Sequence, residues 1–198
     1  MAFDVHPEAR VIHDGVRVTL KRAELRDPAG EVHVREVVEA ADAVVVLPLI
    51  TAEEARAAGV DLSAGFGPEP GVVLIRNERF AVRDTLWELP AGTVEKGESP
   101  DDCAPRELEE ETGYRADRLE KLTAFFPTPG FCTEKLHAYR ATGLREVGQR
   151  LDPTERIQVH VVAWAEALAM VRDGRIQDAK TVATLLFHAA FDGLPRQA

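Results

Sequence analysis

Residues 92–114 read GTVEKGESPDDCAPRELEEETGY, and the rest of the chain is arranged around them. The stretch opens as a loop, where Gly92 and Gly97 permit backbone conformations that a Cβ resists. Ser99 is a good N-cap, Pro100 suits the first helical position and Asp102 completes a capping-box pattern, so a helix is expected to start here. Its expected stop is Gly113, the residue type favoured just past a helix end. Pro105 removes a backbone bond to the carbonyl of Asp101 and is expected to bend or loosen the first turn. On this helix Glu107, Glu110 and Glu111 stand at i, i+3 and i+4, so their carboxylates share one face. Like charges at that spacing repel unless a cation lies among them. Two readings fit: a solvated acidic face on a surface helix, or oxygen ligands for a hard divalent cation such as Mg²⁺, which carboxylates commonly hold together with substrate phosphates.

The spacing of the whole stretch separates those readings. Gly92, five residues, Glu98, seven residues, Arg106-Glu107-Leu108, one residue, Glu110-Glu111, one residue and Gly113 fill the fixed positions of the Nudix box. The chain therefore resembles a Nudix hydrolase. The resemblance implies a mixed α/β (α+β) fold: an α/β/α sandwich with a mixed sheet, preceded by a small antiparallel β domain. It also implies that Glu107, Glu110 and Glu111 bind Mg²⁺ or Mn²⁺, with Arg106 orienting a glutamate. Tyr114 departs from the pattern, standing where the family usually has an aliphatic residue.

The composition is ordinary for a soluble globular protein. The chain has 198 residues, 45% of them apolar, enough for one large domain or a domain with a small appendage. No apolar run approaches the ~20 residues needed to span a bilayer, and the first residues, MAFDVHPEAR, do not read as a signal peptide. Cys103 and Cys132 sit in no metal-ligand spacing and suggest free thiols in a reducing cytoplasm. The net charge of −10 argues against a nucleic-acid partner, which needs a basic surface. An anionic substrate remains compatible, because bound metal ions invert the local charge of a carboxylate site.

Hydrophobic periodicity places the other elements. Val11-Ile12, a two-residue turn at Asp14-Gly15, and the alternating Val16, Val18 and Leu20 read as a hairpin. Val32 and Val34 mark a third strand, and 43–49, AVVVLPL, a strand buried on both faces. Thr51 and Glu54 form a capping box for a short helix ending at Gly59. Residues 59–71, rich in Gly and Pro, read as a surface loop. Strands are expected over 72–76, 86–89, 119–126, 136–142 and 157–164, and amphipathic helices over 165–172 and 181–191. With the resemblance, this divides the chain into an N-terminal β-sheet dimerisation domain, 1–40, and a Nudix domain, 41–198.

Flanking segments narrow the subgroup. Arg76-Asn77-Glu78-Arg79, Trp87-Glu88-Leu89-Pro90-Ala91-Gly92, and Pro129, sixteen residues after Gly113, resemble the ADP-ribose pyrophosphatases. The segments 152–164 and 173–186 resemble them too. The likeness implies that the Ala91 carbonyl and Glu155 add to the metal shell and that Glu134 contacts the terminal ribose. It further implies that Arg35 and Arg79 contact substrate, at least one of them from a partner subunit. Arginine suits that work, being planar, always charged and matched to phosphate oxygens. Each has a plainer alternative: Arg35 and Arg79 as exposed strand residues, Glu134 as a turn residue, Glu155 as a loop acid. Trp87 stacks on adenine or packs in the core, and His137 and His160 read as structural. Several positions depart from the subgroup: Asn77 and Glu78 replace glutamine and tyrosine, and Ala41-Asp42 replaces a glycine. Pro153, with Asp152 beside it, replaces a glutamate proposed as catalytic base. The general base is thus Glu155, Asp152 or a box glutamate such as Glu110.

These residues imply an Mg²⁺-dependent hydrolase that splits ADP-ribose into AMP and ribose 5-phosphate, acting as a cytoplasmic homodimer with no nucleic-acid or membrane partner. A diphosphatase for a GDP- or UDP-sugar is the alternative within the same class. A non-catalytic ADP-ribose sensor is the alternative outside it, and the complete box speaks against that.

Overall fold

The computed structural model describes residues 9–60, 62, 66 and 68–191. The loop expected at 59–71 therefore lies partly outside the described residues, as do both ends of the proposed domains.

The molecule is built on strand β4 (Ala43–Ile50), whose every residue is buried. Its side chains alternate between two cores, as strand geometry requires. Val44, Val46 and Ile50 join one, with Cys103, Ala104 and Leu108 of helix α2 (Pro100–Thr112). Val45, Leu47 and Leu49 join the other, with Ala167 and Met170 of α3 (Trp164–Arg172) and Leu185 of α4 (Ala179–Phe191). Helices thus cover both faces of one sheet, an α/β/α sandwich.

The sheet is mixed. Its order is β10 (Ile157–Ala163), β5 (Gly71–Arg79), β4, β9 (Leu136–Glu146) and β8 (Tyr114–Phe125), with β6 (Asp84–Glu88) on β5 and β7 (Ala91–Thr93) on β4. Only the β4–β9 pair is parallel. The short helix α1 (Ala52–Ala57) keeps the expected capping box between Thr51 and Glu54. Among the described residues, no helix is long and apolar enough to cross a membrane.

A separate three-stranded antiparallel sheet precedes this body: β1 (Arg10–Asp14), β2 (Val18–Arg26) and β3 (Val32–Ala40). It is fastened by the end of β3, where the Val38 N–H donates to Phe131 O at 2.7 Å and Thr133 N–H to Val38 O at 3.0 Å. Residue burial never becomes complete in any of its strands.

Two local expectations change. Asp14 is the last residue of β1, paired with Thr19 and accepting its hydroxyl, so the turn spans 15–17 and not Asp14-Gly15. Val16 is consequently fully exposed in the turn, off both strand faces. Strand β8 begins at Tyr114, five residues before the expected start, because Gly113 adopts φ 73° and turns the chain directly from helix into strand. Helix α2 runs unbroken from Pro100 to Thr112 with Pro105 inside it.

Candidate active site

The site begins where β7 leaves β4. Ala91 pairs with Val45 in the ladder, and its N–H donates to Glu111 Oε2 at 2.8 Å. Gly92 lies flat against the Glu107 carboxylate, and a Cβ there would occupy the carboxylate's own position. The glycine is needed for this close approach of loop to helix. Ser99 caps α2 by accepting the Asp102 N–H, and its hydroxyl donates to the Asp102 carboxylate at 2.6 Å.

Arg106 answers much of the repulsion that the acidic run poses. Its Nε and Nη2 donate to the two oxygens of Glu98, each at 2.8 Å. Nη1 donates to Glu107 Oε1 at 2.8 Å and Glu110 Oε2 at 3.0 Å. One guanidinium therefore binds three carboxylates, a geometry lysine cannot reproduce. Those hydrogen bonds hold the Glu98 carboxyl down to about 2.

Glu111 is outside that reach. It is 3% exposed, and burial pushes its carboxyl up to about 8, with the charges of Glu107 and Glu155 adding to the rise. Burial also raises Glu107, more than the Arg106 charge lowers it. Buried, mutually repelling carboxylates are the donor set that a hard divalent cation satisfies. The residues present thus fit the metal that the box implies.

Glu155 lies on the segment between β9 and β10. Its charge acts on both Glu107 and Glu111, and its Oε2 accepts the Asp152 N–H at 3.0 Å within a tight turn. Asp152 is exposed. This segment is tied to the end of α2: Arg150 N–H donates to Glu110 O at 3.0 Å, Gln149 Nε2 to Glu111 O at 2.6 Å, and Val147 N–H to Gly113 O at 2.7 Å. Gln149 escaped the sequence reading because an amide that caps a distant helix leaves no local pattern.

The remaining candidates fall in different places. Arg79 forms a fork with Glu88, Nε to Oε1 at 2.7 Å and Nη2 to Oε2 at 2.6 Å. Lys180 of α4 bonds the same Glu88 carboxylate, and Asp178 at 3.0 Å. Burial raises the Glu134 carboxyl, with the Lys180 charge opposing. Trp87 pairs across the ladder with Arg76 and packs edge-on to His160, centroids 4.8 Å apart, on the sheet face that α3 and α4 cover. Arg35 is exposed on β3, opposite Ala23. Hydrogen bonds thus tie Ala91 to Glu111 and Arg106 to Glu107 and Glu110, and the Glu155 charge acts on Glu107 and Glu111. Arg79 connects through Glu88 to Lys180, whose charge acts on Glu134. Trp87 packs against the core, while Arg35 is exposed on β3.

Elsewhere among the described residues, Asp27, Glu31 and His33 bring ligand atoms within 4.8 Å of one another. Asp27 Oδ1 there accepts the N–H groups of Ala29 and Glu31, which makes the cluster the frame of the β2–β3 turn.

Comparison with known proteins bears on the family and the fold. The NUDIX domain model matches residues 54–185. The ADP-ribose pyrophosphatase of Bacillus subtilis is 33% identical over 188 residues, covering 94% of this chain and 92% of that one. The GDP-mannose pyrophosphatase of Yersinia enterocolitica is 38% identical over 112 residues, 55% of this chain and 58% of its own. The crystal structure of an ADP compounds hydrolase superposes with a TM-score of 0.76 at 18% identity, covering 96% of this chain and 94% of that one, a match of fold. The chain belongs to the Nudix family and is a Nudix hydrolase.

Proposed function

We propose that the protein hydrolyses the diphosphate of ADP-ribose to AMP and ribose 5-phosphate, with Mg²⁺, or Mn²⁺ in its place, as the required ion. The observation that carries the reading is the buried Glu111 and the partly buried Glu107 against the Ala91-Gly92 turn, within reach of the Glu155 charge. Similarity to the Bacillus subtilis ADP-ribose pyrophosphatase along nearly the whole chain supports the substrate.

Ligands for the ion are the Ala91 carbonyl, Glu107, Glu110, Glu111 and Glu155. A divalent ion bound there offsets the charge of the diphosphate and lowers the pKa of a bound water. The chain's own groups do the rest. Arg106 fixes Glu107 and Glu110, and Arg79 and Glu134 hold the phosphates and the terminal ribose. Glu155 takes the proton of the attacking water, with Asp152 as its rival. Water adds to one phosphorus, the bond from that phosphorus to the bridging oxygen breaks, and two phosphomonoesters leave.

Assembly is part of the reading. Val11, Ile12, Val18, Val32 and Val34 are between 43% and 52% exposed on a sheet with no core of its own. Such a sheet requires a partner surface. We place a homodimer there, with residues 1–40 as the dimerisation unit, 41–198 as the Nudix domain, and Arg35 reaching the partner's substrate. The free Cys103 and Cys132 suit a cytoplasmic setting.

A second reading, a diphosphatase for a GDP- or UDP-sugar, is favoured by the Yersinia enterocolitica relative over its shorter match. Purified protein incubated with Mg²⁺ and a panel of nucleoside diphosphate sugars, with products resolved by chromatography, separates the two. The first reading expects the highest kcat/KM for ADP-ribose. A higher value for a GDP- or UDP-sugar replaces it with the second.

A further inference from the structure

Glu88 is wholly buried, yet it carries a charge. It accepts the fork of Arg79 and a third bond from Lys180, whose ammonium also meets Asp178. Asp178 accepts the N–H and the hydroxyl of Thr181, and Thr181 Oγ1 in turn accepts the Leu89 N–H at 2.8 Å. The first turn of α4 is thereby keyed to Leu89, two residues before Ala91. Two cations and two anions make this cluster neutral.

Its place in the molecule is specific. Arg79 feels the charges of Glu111 and Asp178, and Glu134 feels that of Lys180. The cluster therefore lies within electrostatic reach of both Glu111 on α2 and Glu134. Glu88, Lys180 and Asp178 have side-chain exposures of 1%, 13% and 17%, whereas that of Arg79 is 39%. With Nε and Nη2 committed to Glu88, the Arg79 nitrogen with no partner among the described residues is Nη1. Buried ion clusters add little net stability over apolar packing, so stability alone explains this one poorly. Orientation explains it better. A guanidinium pinned by its fork loses little further freedom when it meets an anion.

We infer that Glu88 is a positioning residue, which locks the Arg79 fork and, with Lys180 bracing it, presents Nη1 to the substrate's diphosphate. The inference rests on the reading of Arg79 as a substrate contact. Glu88 and Lys180 lie in two segments that resemble the ADP-ribose pyrophosphatases, but their pairing is not visible in sequence, since they meet only through the fold, ninety-two residues apart.

The test is steady-state kinetics on ADP-ribose with saturating Mg²⁺, using Glu88→Gln, Arg79→Ala and the double variant. Glu88→Gln keeps the shape and removes the charge. It is expected to raise KM about tenfold while kcat moves less than about threefold. In the Arg79→Ala background the same change is expected to shift KM by less than about twofold, because nothing remains to be positioned. Should circular dichroism show that Glu88→Gln has lost its fold, Glu88→Asp carries the same comparison, keeping the charge but withdrawing it by one methylene. A raised KM in Arg79→Ala beside an unchanged KM in the Glu88 variant overturns the inference and leaves the reading of Arg79 intact. An equal rise in both backgrounds also overturns it, since Glu88 would then act without Arg79. A wild-type KM in Arg79→Ala removes Arg79 from the substrate, and the inference with it.

Discussion

Glu111 differs from the neighbouring acids in what faces it. Glu98 and Glu110 meet Arg106 in partial solvent, whereas Glu111 meets a backbone N–H and two like charges in the interior. In metal-free protein its folded pKa, about 8, stands above the usual 4.5. The folded state then binds a proton that the unfolded state releases. This contribution to stability is full below the unfolded value and disappears as pH rises through the folded one. Thermal melts in EDTA should show wild-type stability falling between those limits, and Glu111→Gln should flatten that fall. Parallel pH profiles for the two proteins contradict the burial argument. At the same scale, Glu155→Gln should lower kcat by about a hundredfold, as loss of one strong transition-state contact does, while Glu134→Gln should mainly raise KM. Steady-state kinetics read both. If Asp152→Asn lowers kcat further than Glu155→Gln, the proton belongs to Asp152.

Helix α2 is held at both ends by identifiable contacts. Ser99 caps its start, and Gly113 ends it in the left-handed region, where a Cβ would meet Gln149 N at 2.7 Å. Gly113→Ala therefore combines backbone strain with a clash against the segment that carries Glu155. A loss of about 2 kcal/mol or more is expected, measured by chemical denaturation. A loss below about 0.5 kcal/mol, the range of ordinary surface changes, means that the 147–150 segment is free to move aside. Elements of this kind were legible because their signals are local: a cap, a glycine, a run of β-branched residues in β4. Tyr114 shows the limit. Its aromatic ring, unusual for the box, is buried with Tyr139 and Leu144, and only the fold reveals the space that receives it. The Arg79–Glu88 fork shows another. Arg79 was visible as a cation on a strand, but its partner depends on the β5–β6 register, which the sequence does not state.

The whole molecule joins a well-buried sandwich to a sheet with no core of its own. That imbalance is the physical argument for a second subunit, and light scattering should return the mass of a dimer. A monomer at working concentration rejects the assembly. Mixing Arg35→Ala with Glu111→Gln after subunit exchange should restore activity in one site of each mixed dimer, if Arg35 serves the partner. No recovery places Arg35 within its own subunit or outside the reaction. Beneath these questions lies the claim that the acidic face of α2 is a divalent-ion site that splits ADP-ribose. Its most direct measurement is release of AMP from ADP-ribose by wild type and Glu111→Gln, side by side, as EDTA-stripped protein is titrated with Mg²⁺. The account predicts no release without the ion, saturable AMP release by wild type, and turnover lower by about a hundredfold in the variant. AMP release that ignores EDTA, or a Glu111→Gln protein as fast as wild type at saturating Mg²⁺, contradicts it.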